Sequence, residues 1–303
     1  MRIGVAATPA VALPSLEWLL TSKHTLVKTI TVPDKPSGRG RVLSASPVGT
    51  WSQEHGIECI KPAKSVELVG HLEDLDLVIT IGYGVILPEQ ILALPKYGFI
   101  NLHFSLLPRY RGAAPAQRAL HNGDTETGIT VFALDKGMDT GPIYVSHSCA
   151  IDASWRASEL LDSLALMGPQ ALSQACQMIE DGVAPVAQVG NSTLAPKISV
   201  EEACVNFNLP ASQVTNAIRA FYPAPGAWSV FRGDKMKFSR VNTAQIELEL
   251  IPGQIHFDGK RVFIGCGDKS AIEISEIVPA GKSEMIASDW ARGARLAPGE
   301  KIG

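Results

Sequence analysis

Gly98-Phe-Ile-Asn-Leu-His-Phe-Ser-Leu-Leu-Pro-Arg-Tyr-Arg-Gly112 alternates in polarity and then runs into a loop bounded by Pro and Gly. As a strand, it points Phe99, Asn101 and His103 one way and Ile100, Leu102 and Phe104 the other. Asn101 and His103 therefore share a face at the end of an otherwise apolar strand. Open α/β sheets bind their ligands beyond the carboxyl ends of the strands, so this polar pair marks a candidate site.

The segments before this stretch support such a sheet. Arg2–Ala7 reads as a short buried strand, Ala10–Leu20 as a helix and Thr25–Val32 as a second strand. Ser46–His55 and Ser65–His71 read as helical, Ile57–Ile60 as extended, and Leu75–Ile81 as a central strand of nearly continuous apolar residues. A short helix is expected around Glu89–Ala93 and another over Ala113–His121. Strands alternating with helices imply a parallel sheet.

Beyond the stretch, Gly128–Leu134 and Pro142–Ala150 read as two further strands, joined through Asp135-Lys-Gly-Met-Asp-Thr-Gly141. Ser154–Asp181 is a long apolar-faced helix that closes a first domain at about residue 182. Residues 183–203 are turn-rich and read as a linker. From residue 204 on, short strands recur at Trp228–Arg232, Lys235–Val241, Gln254–Phe257, Arg261–Cys266 and Ala271–Ile277. That spacing suggests a small β-barrel or sandwich over residues 204–303.

Composition narrows the function classes. A chain of 303 residues, 46% hydrophobic and 19% charged, can bury a full core and divides naturally into two domains. With no long apolar segment, neither a signal peptide nor a membrane span is expected, and the protein is expected in the cytoplasm; a monomer is the expected state. Cys59, Cys149, Cys176, Cys204 and Cys266 are scattered and never spaced as C-x-x-C, which argues against a disulfide framework and a zinc knuckle. No metal is expected. The net charge of −3 confines any nucleic-acid partner to a local basic patch.

That patch is Pro33-Asp-Lys-Pro-Ser-Gly-Arg-Gly-Arg41, where Lys35, Arg39 and Arg41 face a single acid, Asp34, in a segment without periodicity. It reads as a mobile basic loop. The region from Cys204 onward carries twelve Lys+Arg against ten Asp+Glu, leaving +2, while the first 203 residues hold fifteen against twenty, leaving −5. A barrel at +2 is only mildly basic for gripping a phosphate backbone. Lys235, Lys237 and Arg240 are its candidate contacts.

Missing motifs exclude other chemistries. Ala6-Ala-Thr-Pro-Ala10 follows the first strand without the G-x-G-x-x-G pattern, and Gly82-x-Gly84 lacks a third glycine at Leu87. A nicotinamide or flavin cofactor is not expected. There is no Walker A sequence, H-E-x-x-H pair or G-x-S-x-G elbow.

Asn101, His103 and Asp139 remain, and they suit acyl transfer to an amine. Attack on a carbonyl creates an oxyanion, to which an amide N–H of Asn101 and an imidazole N–H of His103 could donate. Asp139, lying between Gly137 and Gly141 in a loop, would favour an imidazolium at His103 and accept protons from the amine. No base accompanies Ser105 or any cysteine in sequence, which favours direct transfer over a covalent acyl-enzyme.

The run Asn101-Leu-His-Phe-Ser-Leu-Leu-Pro-Arg-Tyr-Arg-Gly112 closely resembles the signature of the folate-dependent formyltransferases, and Asp139-Thr-Gly-Pro-Ile143 resembles their second motif. Pro33–Gly40, Ser105–Pro115, Ala195-Pro-Lys-Ile198 and Tyr222-Pro-Ala-Pro-Gly-Ala-Trp228 resemble the branch of that family acting on methionyl-tRNA. The resemblance implies a Rossmann-like, mostly parallel open sheet followed by an OB-like barrel. It also implies transfer of a formyl group from 10-formyltetrahydrofolate to the α-amino group of initiator methionyl-tRNA.

On that resemblance, Asn101, His103 and Asp139 fall on the catalytic positions. Ser105, Leu106, Leu107 and Pro108 match a folate-binding segment, and Gly82, Tyr83, Gly84, Val85, Ile86 and Leu87 match a loop lining the pterin pocket. Lys35, Arg39 and Arg41 match the segment that enters the tRNA acceptor end. A sugar-amine formyltransferase or a formyltetrahydrofolate hydrolase would share the three catalytic residues without the basic loop and the barrel. A tRNA-binding module without activity would not need the three residues intact.

Overall fold

The computed structural model describes residues 1–37, 42–245 and 249–303. The chain divides into two compact units. One comprises Met1–Pro115, Glu126–Ala150 and Leu161–Pro196, and the other Ala116–Thr125, Ile151–Leu160 and Lys197–Gly303. Residues 183–196, assigned to a linker from their composition, are grouped with the first unit.

In chain order the elements up to the loop after the central strand are β1 (Arg2–Ala7), α1 (Leu13–Thr21), β2 (Thr25–Ile30), β3 (Lys35–Ser37), β4 (Val42–Ser44), α2 (Pro47–Glu54), β5 (Glu58–Ile60) and β6 (Leu77–Ile81). They are followed by α3 (Glu89–Leu92), β7 (Phe99–His103), α4 (Pro115–His121), β8 (Glu126–Ala133), β9 (Ile143–Ala150) and α5 (Ala157–Glu180). The seven-stranded sheet has the order β5-β2-β1-β6-β7-β8-β9. Its first five strands are parallel, whereas β8 runs antiparallel to both β7 and β9. The parallel arrangement implied by alternating elements holds up to β7, and the sheet as a whole is mostly parallel, as expected. Only the short Asp135–Gly141 loop separates β8 from β9, and a parallel return requires a crossover of a dozen residues or more.

All five residues of β6 are buried, as a central strand covered on both faces requires. Ser46 caps α2 by accepting a hydrogen bond from the Gly49 N–H at 3.0 Å, and Pro47 occupies the first turn. From β1 the chain builds outward through β2 and β5, then returns to lay β6 on the other side of β1. The switch point falls between the carboxyl ends of β1 and β6, where such sheets open a crevice. Thr8 and Tyr83 meet there, with Thr8 Oγ1 donating to the Tyr83 carbonyl at 3.5 Å. Behind the crevice, Tyr83, Leu87, Ile91 and Phe99 pack into the core with Val78. On the other side, Gly168 brings α5 so close to Leu102 of β7 that a Cβ would stand 2.7 Å from its Cδ2. This contact fixes the rear of the strand that carries the candidate site.

The Pro33–Arg41 segment is not the uniform loop expected. Lys35–Ser37 pairs antiparallel with Val42–Ser44, and Asp34 is bound by Lys61 at 2.7 Å. Lys35 is exposed, while Arg39 and Arg41 lie outside the described residues.

The second unit contains α6 (Ala211–Phe221), β10 (Trp228–Phe231), β11 (Asp234–Ala244), β12 (Ile255–Phe257), β13 (Val262–Gly265), β14 (Ala271–Val278), β15 (Met285–Ile286) and α7 (Ala287–Ala294). Its strands form an antiparallel sheet in the order β10-β11-β14-β13-β12, with β15 added beside β14. Register shifts around Arg240 in the long β11 bend the sheet into a half-barrel of the OB-like type. The helices α6 and α7 have no counterpart in the spacing of strand-like segments. The i, i+3, i+4, i+7 pattern of Ala211, Val214, Thr215 and Ile218 encodes α6, and all four are buried. Among the described residues, no helix is long and apolar enough to cross a membrane.

Candidate active site

At the carboxyl ends of β6 and β7 lies a cavity of about 430 Å³. Asn101, His103 and Asp139 all line it, together with Gly82–Leu87 and Thr80. The alternation of β7 sends Asn101 and His103 to one side, in register with Phe132 and Thr130 of β8. The short connection from β8 to β9 returns Asp139 to the same end of the sheet. Within the described residues no hydrogen bond engages the Asn101 side chain, whose amide is available to donate into the cavity.

His103 is held by two groups. Its Nε2 lies 2.9 Å from the Tyr110 carbonyl, and a carbonyl can only accept, so Nε2 carries the proton. Tyr110 presents that carbonyl from a left-handed backbone conformation with φ 61°. Nδ1 faces Asp139, whose Oδ2 is 3.8 Å away. Burial pushes His103 below the ordinary histidine value, against the Asp139 charge and the Tyr110 hydrogen bond, which pull it up.

Asp139 favours the imidazolium, as expected, but desolvation outweighs a carboxylate that is beyond hydrogen-bonding distance. His103 rests neutral with an unprotonated Nδ1 toward Asp139. It donates to an oxyanion only after Nδ1 has gained a proton, which leaves Asn101 as the resting donor from this strand.

Asp139 is restrained through side chain and main chain. Its φ of 54° lies in the left-handed region, where Asp is tolerated better than most residues. Oδ2 accepts the Gly112 N–H at 2.7 Å. Asp135 Oδ1 accepts the Gly137 N–H at 2.9 Å and the Thr140 hydroxyl at 2.6 Å, closing the loop on itself. Gly112, at φ 125°, runs so close to Ala195 that a Cβ would sit 2.7 Å from its carbonyl oxygen. Ala195 in turn donates to the Arg111 carbonyl at 2.7 Å, and the Arg111 N–H donates to Thr193 at 2.8 Å. Thr193 and Ala195, the latter opening the segment that resembles a family motif, thus fix the loop whose Gly112 N–H holds Asp139.

The two segments matched to folate binding separate. Gly82–Leu87 lines the cavity, with Tyr83 and Leu87 rooted in the core and Ile86 projecting outward. None of Ser105, Leu106, Leu107 or Pro108 lines it. The Ser105 hydroxyl is buried and donates to the Arg109 carbonyl at 2.7 Å. Thr130 Oγ1 donates to the Ser105 carbonyl at 2.7 Å while accepting the Leu107 N–H at 3.2 Å. These bonds shape the turn that delivers Tyr110 and Gly112 to the site.

In the second unit, Lys235 lies over the Trp228 ring at 3.6 Å, and Lys237 donates to the Pro225 carbonyl at 2.8 Å. Arg240 is committed to Glu159 at 3.4 Å and to Glu276 at 3.5 Å, an arrangement that neutralises it. Its acidic partners come from sequence-distant segments, and a phosphate would have to compete with them for the guanidinium.

Sequence reasoning left Tyr110, Gly112 and Gln188 without roles. Two of them sit inside the opening stretch, where a carbonyl or N–H contribution leaves no mark on residue type. Gln188, in a turn-rich segment, carries no sequence signal.

The buried His24 and His103 and the half-buried His121 are all pulled below their ordinary value, chiefly by desolvation. From about pH 6.5 downward the unfolded chain binds protons that the folded chain refuses, so stability falls as pH falls. The thermal midpoint is expected to drop between about pH 7.5 and about pH 5.5, and His103→Gln is expected to flatten that slope. A midpoint independent of pH across this interval would remove the neutral assignment.

Residues 3–176 match the family described as formyl transferase, and residues 197–295 match the formyl transferase C-terminal domain. The chain is 43% identical to the methionyl-tRNA formyltransferase of Salinispora tropica and 40% identical to that of Streptomyces griseus, in both cases across the full length of both chains. Among solved structures, an N-formyltransferase of Helicobacter canadensis in complex with folinic acid and dTDP-3-aminofucose superposes with a TM-score of 0.70 at 19% identity. That match covers 90% of this chain and 98% of the other. At this identity the superposition speaks for the fold alone. With both domain matches in sequence order and full-length identity above 40%, the chain belongs to the methionyl-tRNA formyltransferase family.

Proposed function

We propose that the protein transfers the formyl group of 10-formyltetrahydrofolate to the α-amino group of methionine carried by initiator tRNA. Convergence of Asn101, His103 and Asp139 on one cavity, in a chain with that family membership, carries the proposal. The pterin enters between Gly82–Leu87 and the Asp135–Gly141 loop, placing the formyl carbonyl within reach of the Asn101 amide. Ser105–Pro108 shapes the loop that brings Tyr110 and Gly112 to the site.

The methionyl amine attacks the formyl carbon, and the carbonyl electron pair moves onto oxygen, where Asn101 donates to it. The attacking nitrogen becomes positive and releases a proton, which the neutral Nδ1 of His103 accepts, with Asp139 stabilising the resulting imidazolium. The charged His103 then offers Nδ1–H to the oxyanion. Collapse of the tetrahedral intermediate breaks the bond to N10 of the folate. The electron pair goes to that nitrogen, which takes the proton carried by His103, and tetrahydrofolate leaves with His103 neutral again.

Lys35, Arg39 and Arg41 are assigned to the acceptor end of the tRNA, and Lys235 with Lys237 to its backbone. Arg240 is left out because its charge is already paired.

Incubation with 10-formyltetrahydrofolate is expected to yield formylmethionyl-tRNA only when charged initiator tRNA is present. Formate released without tRNA would replace this reading with hydrolysis. Formylation of a nucleotide-linked amino sugar in place of the tRNA would replace it with sugar modification.

A further inference from the structure

Gln188 lies outside the cavity lining, yet its side-chain amide ties together two segments that meet there. Nε2 donates to the Asp139 carbonyl at 2.9 Å and to the Gly141 carbonyl at 2.8 Å. Oε1 accepts from Arg111 Nη2 at 2.6 Å and Nε at 3.2 Å. Both amide hydrogens and both lone pairs are used, so the hydrogen-bonding capacity of the group is filled. Its orientation is also unambiguous, because a guanidinium only donates and a carbonyl only accepts. The Gln188 segment is itself pinned two residues earlier, where Val186 and Ile143 exchange backbone hydrogen bonds at 2.7 and 2.8 Å.

These contacts close a ring. Arg111 binds Gln188, Gln188 binds the main chain of Asp139, and the Asp139 carboxylate binds the N–H of Gly112, the neighbour of Arg111. Gly112 alone would hold the carboxylate but leave its backbone free to relax from φ 54° to an ordinary conformation, swinging Oδ2 away from His103. A misplacement of about 1 Å at a reacting group can cost about 100-fold in rate.

We propose that Gln188 is a positioning residue for formyl transfer, locking the Asp139 main chain against Arg111 so that the carboxylate stays beside His103. The assignment rests on the function proposed above. It makes the segment after α5 part of the catalytic apparatus.

Two substitutions separate its contacts. Gln188→Ala removes all four, whereas Gln188→Glu keeps the acceptor for Arg111 and loses the donors to the Asp139 and Gly141 carbonyls. Both variants are expected to keep the parental KM for folate and tRNA within about twofold while kcat falls about 10- to 100-fold. In a crystal structure of Gln188→Ala, the separation of Asp139 Oδ2 and His103 Nδ1 is expected to depart from 3.8 Å. Parental kcat in Gln188→Glu would overturn the proposal, as would a lowered kcat with Asp139 unmoved. If the parent enzyme forms no formylmethionyl-tRNA, the functional reading fails, and the position of Asp139 in the variant alone decides the positioning role.

Discussion

Asp139→Asn is expected to lower kcat by about 100-fold or more, the scale set by disabling a positioned general base, here His103 deprived of the carboxylate that stabilises its charged form. The substitution is nearly isosteric, and its carbonyl oxygen can still accept the Gly112 N–H. Gln188 binds the main chain of residue 139 and is unaffected by the change of side chain. Geometry is therefore conserved while charge is lost. Without the carboxylate nothing offsets desolvation at His103 except the Tyr110 hydrogen bond, so the imidazole becomes a weaker base and the imidazolium a costlier intermediate. The variant is expected to bind folate at nearly the parental affinity and to unfold at nearly the parental temperature. Single-turnover formyl transfer within tenfold of the parent would show that the proton does not pass through this pair.

Gly141→Ala is expected to damage fold and activity together. A Cβ at this position would stand 1.8 Å from the Ala133 carbonyl oxygen, far inside contact distance, and the obstacle is backbone rather than a movable side chain. The neck of the loop is closed there by the Ala133 N–H bound to the Pro142 carbonyl at 2.9 Å, and the Gly141 carbonyl is one of the two that Gln188 holds. Admitting a methyl group requires β8 and β9 to part at the base of the Asp139 loop. The cost is expected to be about 3 kcal/mol, at the upper end of overpacking substitutions. Turnover should fall by about 100-fold even in the fraction that remains folded, because Asp139 is displaced. Denaturant unfolding and single-turnover assays on the same preparation check both parts. A parental midpoint together with parental turnover would refute the account of the loop.

That Asn101, His103 and Asp139 line one cavity was largely legible in sequence, because two of them lie on one strand. The period of two in a β-strand is local geometry, and it alone puts Asn101 and His103 on a common face. The proximity of Asp139 was also readable, since the loop from Asp135 to Gly141 is short and bounded by strand-like runs. The sequence could not show that β8 runs antiparallel to β7, because the polarity of that pair is decided by which edge β8 joins. The helix α6 is written in its apolar period at Ala211, Val214, Thr215 and Ile218, which the regular spacing of strand-like segments does not reveal. Arg240 read as a free cation, and Glu159, which neutralises it, is more than eighty residues away in sequence.

By itself the sequence determined the chemical groups, the faces they occupy and the class of reaction they suit, because these depend on residue type and short-range periodicity. The tertiary structure decided the protonation of His103, which is a balance between burial and a carboxylate 3.8 Å away. It also decided which residues hold Asp139 in place. Gln188 is forty-nine positions from Asp139 in the chain, and only folding brings its amide to the two carbonyls. Long-range proximity and desolvation belong to the packed molecule, and no local pattern of residues encodes them.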